Sequence, residues 1–327
     1  MSEEASTLRV VTTQHEASSP RHATSNPSRA SSWASAPWNA VRGGLVGAAE
    51  SVPGISGGTV ALVVGLYDHL IDAASQLVHA ARELVTGIFR GRGPAAGLRA
   101  LKEINWALLV PVLVGMVVVL LLSLKLIAPL LESNPVPTRA VFFGMIAVSI
   151  AVPLRMMPRR FGALDAVLFL AAAAVAFLLT GLPEAQVGEP ELWYVFIGAA
   201  LAINALVLPG VSGSFLLLVM GLYIPVQQAV ESRDLGFVAV FLLGAVVGLG
   251  SFVKLLRWLL HNRRQGTMAV LGGLMLGSLR SLWPWQSETN ELLAPTGSVV
   301  GPLLLAVAGA GVVLLAMVWE SRVARGA

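Results

Sequence analysis

Long apolar runs alternate with short polar connections along most of the chain, and their lengths predict helices. Trp106 to Leu131, Gly162 to Leu182, Leu235 to Leu260 and Val299 to Trp319 reach the ~20 residues that carry an α-helix across a ~30 Å hydrocarbon layer, twice what a barrel strand needs. Ala140 to about Met157 and Gly266 to Trp283 complete two sets of three. Two other apolar stretches are interrupted: "AESVPGISGGTVALVVGLYDHL", Ala49 to Leu70, and "LVLPGVSGSFLLLVMGLY", Leu206 to Tyr223. The arms flanking the first break, roughly Trp38 to Glu50 and Thr59 to Ile71, have 13 residues each, about 20 Å of helix and too short to span. They predict a re-entrant hairpin.

The two broken stretches are an internal repeat. Pro53, Gly54, Ser56, Gly57, Gly65, Leu66 and Tyr67 correspond to Pro209, Gly210, Ser212, Gly213, Gly221, Leu222 and Tyr223 at a constant offset of 156. Further on, Gly115, Lys125 and Gly144 correspond to Gly244, Lys254 and Gly273 at an offset of 129. The first half therefore carries 27 extra residues, and the polar insertion Ala73 to Asn105 accommodates them. Within it "RELVTGIFRGRGPAAGLRALKEIN" reads as an amphipathic surface helix followed by a loop. Three spans per half is an odd number, so the second half enters the membrane upside down relative to the first. The expected fold is an all-α polytopic membrane protein with an inverted-topology repeat, each half a re-entrant helical hairpin plus three transmembrane helices. Residues 38–183 form the first repeat, with the insertion at 73–105, and 190–327 the second.

Charge gives an independent reading, because Lys and Arg concentrate in cytoplasmic loops. With the N-terminus inside, sixteen Lys and Arg fall in inner segments, against Arg139, Arg233 and Arg280 at the outer ones. Both termini are expected on the inner, cytoplasmic side. Composition agrees: 56% of residues are hydrophobic and 12% charged, more apolar surface than an aqueous core absorbs. Residues 1–37 differ, being rich in Ser, Ala and Pro without an apolar signal region, and read as a disordered cytoplasmic tail. The chain has no cysteine, so thiolate metal sites and cysteine nucleophiles are excluded. Its pI near 10 reflects basic residues scattered among membrane loops rather than a nucleic-acid face.

A break at membrane depth is tolerated only where protein or a water-filled cavity satisfies its backbone. Pro-Gly breaks leave amides free at the start of the next half-helix, whose positive end favours an anion. The candidate anion site comprises Glu50, Ser51, Pro53, Gly54, Ser56, Gly57, Gly58 and Thr59 from the first break, and Asn204, Pro209, Gly210, Ser212, Gly213 and Ser214 from the second. The competing reading is that the glycines permit helix packing and the serines bond nearby carbonyls. Lys125 and Lys254 lie within apolar spans, either as cations for a phosphate or as side chains that snorkel to the headgroups. Glu50, whose repeat counterpart is Leu206, is a proton-coupling group, a cation ligand or a helix-end charge.

Together, "AAESVPGISGGTVALVVGLYDHLI" and "LVLPGVSGSFLLLVMGLY" resemble the bacterial polyprenyl-phosphate transporter family, long known as domain of unknown function 368. The resemblance runs from about Asn39 onward; members often carry Asp where this chain has Glu50. It implies a flippase that returns undecaprenyl phosphate, or a similar polyprenyl phosphate, across the cytoplasmic membrane. No "GxxxxGK[ST]" is present, so the energy is expected from voltage or from a coupling ion, proton or sodium, with no cofactor. The coupling ion and the oligomeric state are left open. An ion or small-anion secondary transporter would use the same hairpins. An intramembrane serine protease is a weaker alternative: Gly54 to Gly58 fit G-x-S-x-G, but His15, His22, His69, His79 and His261 all lie in the tail, in loops or at span ends.

Overall fold

The computed structural model describes residues 33–50, 56–91, 93–183, 185, 187–287 and 290–326. Among them the chain is helical; Gln286 and Leu292 form an isolated antiparallel bridge outside any named strand. The first half contains α1 (Ala36–Glu50), α2 (Gly57–Val63), α3 (Tyr67–Phe89), α4 (Ala95–Lys102), α5 (Trp106–Ser133), α6 (Pro135–Ser149), α7 (Ala151–Arg155) and α8 (Ala163–Leu179). The second contains α9 (Leu192–Val207), α10 (Gly213–Val219), α11 (Tyr223–Glu231), α12 (Leu235–Asn262), α13 (Arg264–Ser278) and α14 (Val300–Gly326), with a 3₁₀ turn at Leu279–Leu282 after α13.

Among the described residues, three segments are long and apolar enough to cross a membrane: Trp106–Ser123 in α5, Pro135–Arg155 across α6 and α7, and Leu235–Asn262. Ala163–Leu179, Leu192–Val207 and Val300–Leu315 are apolar but shorter, and α10 and α11 qualify only as a pair bent by 103°. The run expected from Ala140 starts earlier, at Pro135, because proline suits the first helical position, where its missing N–H has no partner to lose. It breaks at Ile150, where Pro153 has no amide to continue the ladder.

The insertion departs from expectation. α3 runs unbroken from Tyr67 to Phe89, and α4 takes the place of the expected loop. Gly91 and Gly93, at φ +65° and +74°, turn the chain between them. α4 then packs back on α3, with Gly97 placed where any Cβ would strike Leu84. Ile88 and Phe89 remain exposed beside Arg82 and Arg90, as on a helix lying in the membrane interface.

Helix packing follows the duplication. α1 packs on α5 as α9 packs on α12, while α6 packs on α14 and α8 on α13, each of these last two pairs joining one half to the other. The matched glycines sit at these contacts. A Cβ on Gly115 would strike the Ala40 carbonyl, and one on Gly244 the Phe196 carbonyl, the equivalent atom 156 residues on. Gly144 likewise meets the Ala306 carbonyl, and Gly273 that of Phe169. In lipid no hydrophobic force drives helices together, so close van der Waals approach at small residues supplies the attraction. The largest fully buried side chains include Leu66, Leu256, Met268 and Met275, which puts the main core where α2 and the start of α3 meet α12 and α13.

Candidate functional site

The second part of the duplicated motif has a local explanation. Each break is followed by a helix of seven residues that ends in a Schellman motif. The Leu66 N–H bonds the Ala61 carbonyl at 2.8 Å and Gly65 the Leu62 carbonyl at 3.3 Å; Leu222 bonds Leu217 at 2.8 Å and Gly221 bonds Leu218 at 3.0 Å. Gly65 and Gly221 adopt φ +67° and +68°, and Leu66 and Leu222 are wholly buried beside them. The repeated Gly-Leu-Tyr is therefore the turn that ends each seven-residue helix and starts the next. One carbonyl per turn is satisfied from the hairpin's first arm: Arg42 Nε donates to Val64 O at 2.7 Å, and Tyr194 Oη to the equivalent Met220 O at 2.9 Å. Sequence reasoning did not single out Arg42 or Tyr194. The signal for Arg42 was its charge inside an arm otherwise uncharged up to Glu50.

Ser51, Pro53 and Gly54 lie outside the described residues. Ser56 and Ser212 open α2 and α10 in the same extended conformation, φ −103° and −95°, but their hydroxyls do different things. Ser56 Oγ, buried, donates to the Leu208 carbonyl of the opposite hairpin at 3.0 Å. Ser212 Oγ accepts from the Phe215 N–H at 3.4 Å and lies 3.0 Å from Ser214 Oγ. A second bond crosses between the halves: the Gly210 N–H donates to Thr59 Oγ1, fully buried, at 2.9 Å. The two broken segments thus meet through Ser56 and Thr59 on one side and Leu208 and Gly210 on the other. At the end of α1, Glu50 Oε1 accepts the Gly57 N–H at 2.7 Å.

The glycines serve close approach at this junction. A Cβ on Gly58 would lie 2.9 Å from the Val207 carbonyl and 3.3 Å from the Pro209 nitrogen. Gly210, at φ +84°, has Met275 and Leu274 backbone 2.7 to 2.8 Å from where its Cβ would be, and Gly213 stands equally close to its own arm, 2.5 Å from the Ala202 carbonyl. Pro209 is buried between them. Asn204 Oδ1, one turn before this break, is buried without a hydrogen-bond partner among the described residues.

Neither lysine hydrogen-bonds a hairpin residue among the described residues; both are exposed. Lys254 lines a cleft of about 610 Å³ between α3 and α12 with His79, Arg82, Arg257 and His261. Arg257 is tied to Asp72 at 2.8 Å, and Arg264 to Asp68 at 3.0 Å, so α3 is held to α12 and α13 by ion pairs between the halves. A larger cavity, about 770 Å³, is lined by Arg159, Arg263 and Arg264 and, through apolar walls, by Leu208, whose carbonyl holds Ser56. Among the described residues no group of three His, Asp or Glu converges as a metal site would require.

The family described as undecaprenyl phosphate translocase-like matches residues 46–300. The chain belongs to that family. The matched stretch begins four residues before Glu50 and ends at the start of α14, so it contains both breaks and both lysines. Among curated proteins the chain is similar to a polyprenyl-phosphate transporter of Vibrio cholerae serotype O1, 37% identical over 265 residues that cover 81% of this chain and 82% of that protein. It is also similar to a polyprenyl-phosphate transporter of Staphylococcus aureus, 27% identical over 262 residues that cover 75% of this chain and 86% of that one. No solved structure matches it.

Proposed function

We propose that this protein carries undecaprenyl phosphate or a similar polyprenyl phosphate across the bacterial cytoplasmic membrane, with its halves, 38–183 and 190–327, inserted in opposite orientations and both termini in the cytoplasm. The observation that carries the reading is the pair of hydrogen bonds that joins the start of the helix after the first break to the second break, Thr59 to Gly210 and Ser56 to Leu208. Family membership and the names of both relatives support the substrate.

In this reading the phosphate enters where the hairpins touch. The donors there are satisfied internally: the Gly57 N–H by Glu50, the Gly210 N–H by Thr59, and the Ser56 hydroxyl by Leu208. An entering phosphate exchanges these bonds for its own, a substitution that costs little net because few donors are left unmade. Charge on the ligand strengthens each new bond. Glu50 and a phosphate cannot share the Gly57 amide, since two anions there repel. Glu50 therefore leaves as phosphate arrives, and a proton or sodium ion neutralising it couples the two events. The half-helices have seven residues each, so the hydroxyls and amides, rather than a long helix dipole, hold the headgroup. Ser212 and Ser214 add hydroxyls, Asn204 an amide, and Lys125 and Lys254 contact the phosphate on its way in and out. The isoprenoid tail stays in the bilayer.

The test is uptake of a fluorescent polyprenyl phosphate from the outer leaflet of oriented vesicles containing the full chain. Uptake above that of protein-free vesicles is expected. Uptake no faster than in protein-free vesicles, with the protein folded, overturns the reading.

A further inference from the structure

A second feature suited to an anionic lipid, with no residue of either break in its lining, lies along α8 and α13. A groove of about 620 Å³ runs between Phe143 of α6, Ala173, Ala174 and Phe177 of α8, and Trp283 beyond α13. Its walls are apolar apart from Arg280. Phe143 and Trp283 meet edge to face at 6.0 Å, so aromatic packing holds this wall rigid.

Among the described residues Arg280 has no carboxylate partner. Its guanidinium carbon lies 4.7 Å above the Phe177 ring and Nη1 donates to the Phe177 carbonyl at 3.2 Å. Nε is buried without a partner, and among the described residues no carboxylate pairs with it. Gly181 makes the room, since a Cβ there would strike the guanidinium. The ring face and one carbonyl offset only part of the cost of holding a charge beside apolar walls. A planar guanidinium at the end of an aromatic groove is complementary to a phosphate with a hydrocarbon tail.

We infer that this groove is the docking slot in which the protein takes up a polyprenyl monophosphate, with the phosphate on Arg280 and the adjoining isoprene units against Phe143, Phe177 and Trp283. The inference rests on the proposed substrate but names a site separate from the hairpins. Bulk phospholipid can cover the walls; a guanidinium without a carboxylate partner among the described residues, at the end of an aromatic channel, favours a single-chain phosphate.

The chain has no cysteine, so Leu178→Cys, on the groove wall, gives one labelling site. The full-length variant in lipid nanodiscs is labelled with a membrane-permeant maleimide in the presence of undecaprenyl phosphate, undecaprenol or added phosphatidylglycerol. Undecaprenyl phosphate should slow labelling at least ~10-fold and the other two should not; Arg280→Gln should raise the concentration for half-protection ~10-fold or more, as loss of a charged hydrogen bond does. Ala174→Trp adds bulk to the groove wall while leaving the Arg280 side chain in place and should abolish protection, which keeps the test decisive if Arg280→Gln folds poorly. If the Leu178→Cys thiol labels at full speed under undecaprenyl phosphate while vesicles of the same variant still carry the lipid, the groove is refuted and the proposed function stands. Vesicles that neither carry nor bind the lipid sink both, and equal protection by phosphatidylglycerol overturns the single-chain assignment.

Discussion

Thr59 Oγ1 accepts the amide proton of Gly210 at 2.9 Å, joining residues 151 apart in sequence where the two broken segments meet. The threonine is fully buried, so no water replaces the bond if the hydroxyl is lost. Thr59→Val keeps the shape and leaves the Gly210 amide orphaned, which costs about 1–3 kcal/mol. Ser214, exposed on the same hairpin as Gly210, is the control. Thermal unfolding in detergent should show a clear loss for Thr59→Val and near-parent stability for Ser214→Ala; equal stability of both would mean the bond does not hold the hairpins together.

Gly57 and Gly210 lie in the repeat's two breaks, yet substitution should separate them. A Cβ on Gly57 meets the carboxylate end of Glu50, which can swing away, whereas one on Gly210 meets the Met275 and Leu274 backbone at a positive φ. Gly57→Ala should therefore stay folded with Glu50 displaced, and Gly210→Ala should fail to yield folded protein. A double-mutant cycle checks the cause: Gly57→Ala should cost less in a Glu50→Ala background, with a coupling of ~0.5 kcal/mol or more. Additive effects would sink the explanation.

These two glycines show how far the sequence could be read. The repeat at offsets 156 and 129 announced which helices are equivalent, and α1 with α5 and α9 with α12 pack accordingly. It could not announce which copy keeps its hydroxyl for the other half. Ser56 and Ser212 match in sequence and backbone, but Ser56 is spent on Leu208 while Ser212 stays within its own hairpin. That difference is set by which segment packs opposite, a tertiary fact. The glycines carried two readings, ligand approach and packing, and every described one at the junction has chain atoms in the space of its Cβ. α4 was missed because Gly91, Gly93 and Pro94 signal a turn without saying that a helix returns after it.

Packing at the matched glycines gives a stability forecast independent of transport. Gly144→Ala and Gly273→Ala drive a methyl into the carbonyls of Ala306 and Phe169, so α6 must part from α14 or α13 from α8. Gly311 of α14 has nothing within 4 Å of its Cβ position, so Gly311→Ala should be neutral or gain up to ~1 kcal/mol from reduced backbone entropy. Unfolding in detergent by scanning calorimetry should rank Gly311→Ala well above the other two. The reverse ranking would mean these helix pairs do not meet through their glycines.

The lysines separate charge recruitment from simple snorkelling. Both are exposed, and Lys254 shares its cleft with Arg82 and Arg257. Cations grouped this way act on an approaching phosphate through a summed field that salt screens within ~10 Å at 0.1 M. Lys254→Gln should therefore lower polyprenyl phosphate uptake a few-fold, with the deficit shrinking as ionic strength rises, because its neighbours remain. Lys125→Gln should lower uptake from the outer leaflet in the same assay. A lysine supplies a point charge rather than a planar fork, so Lys→Arg at either position should retain much of the rate. Snorkelling forecasts otherwise: glutamine still reaches the headgroups, and both Lys→Gln variants would transport normally. Uptake should be measured in oriented vesicles at low and high salt, with folded protein quantified for each variant. Near-normal rates for both at low salt would remove the lysines from the mechanism and leave the phosphate to the hydroxyls and amides where the hairpins meet.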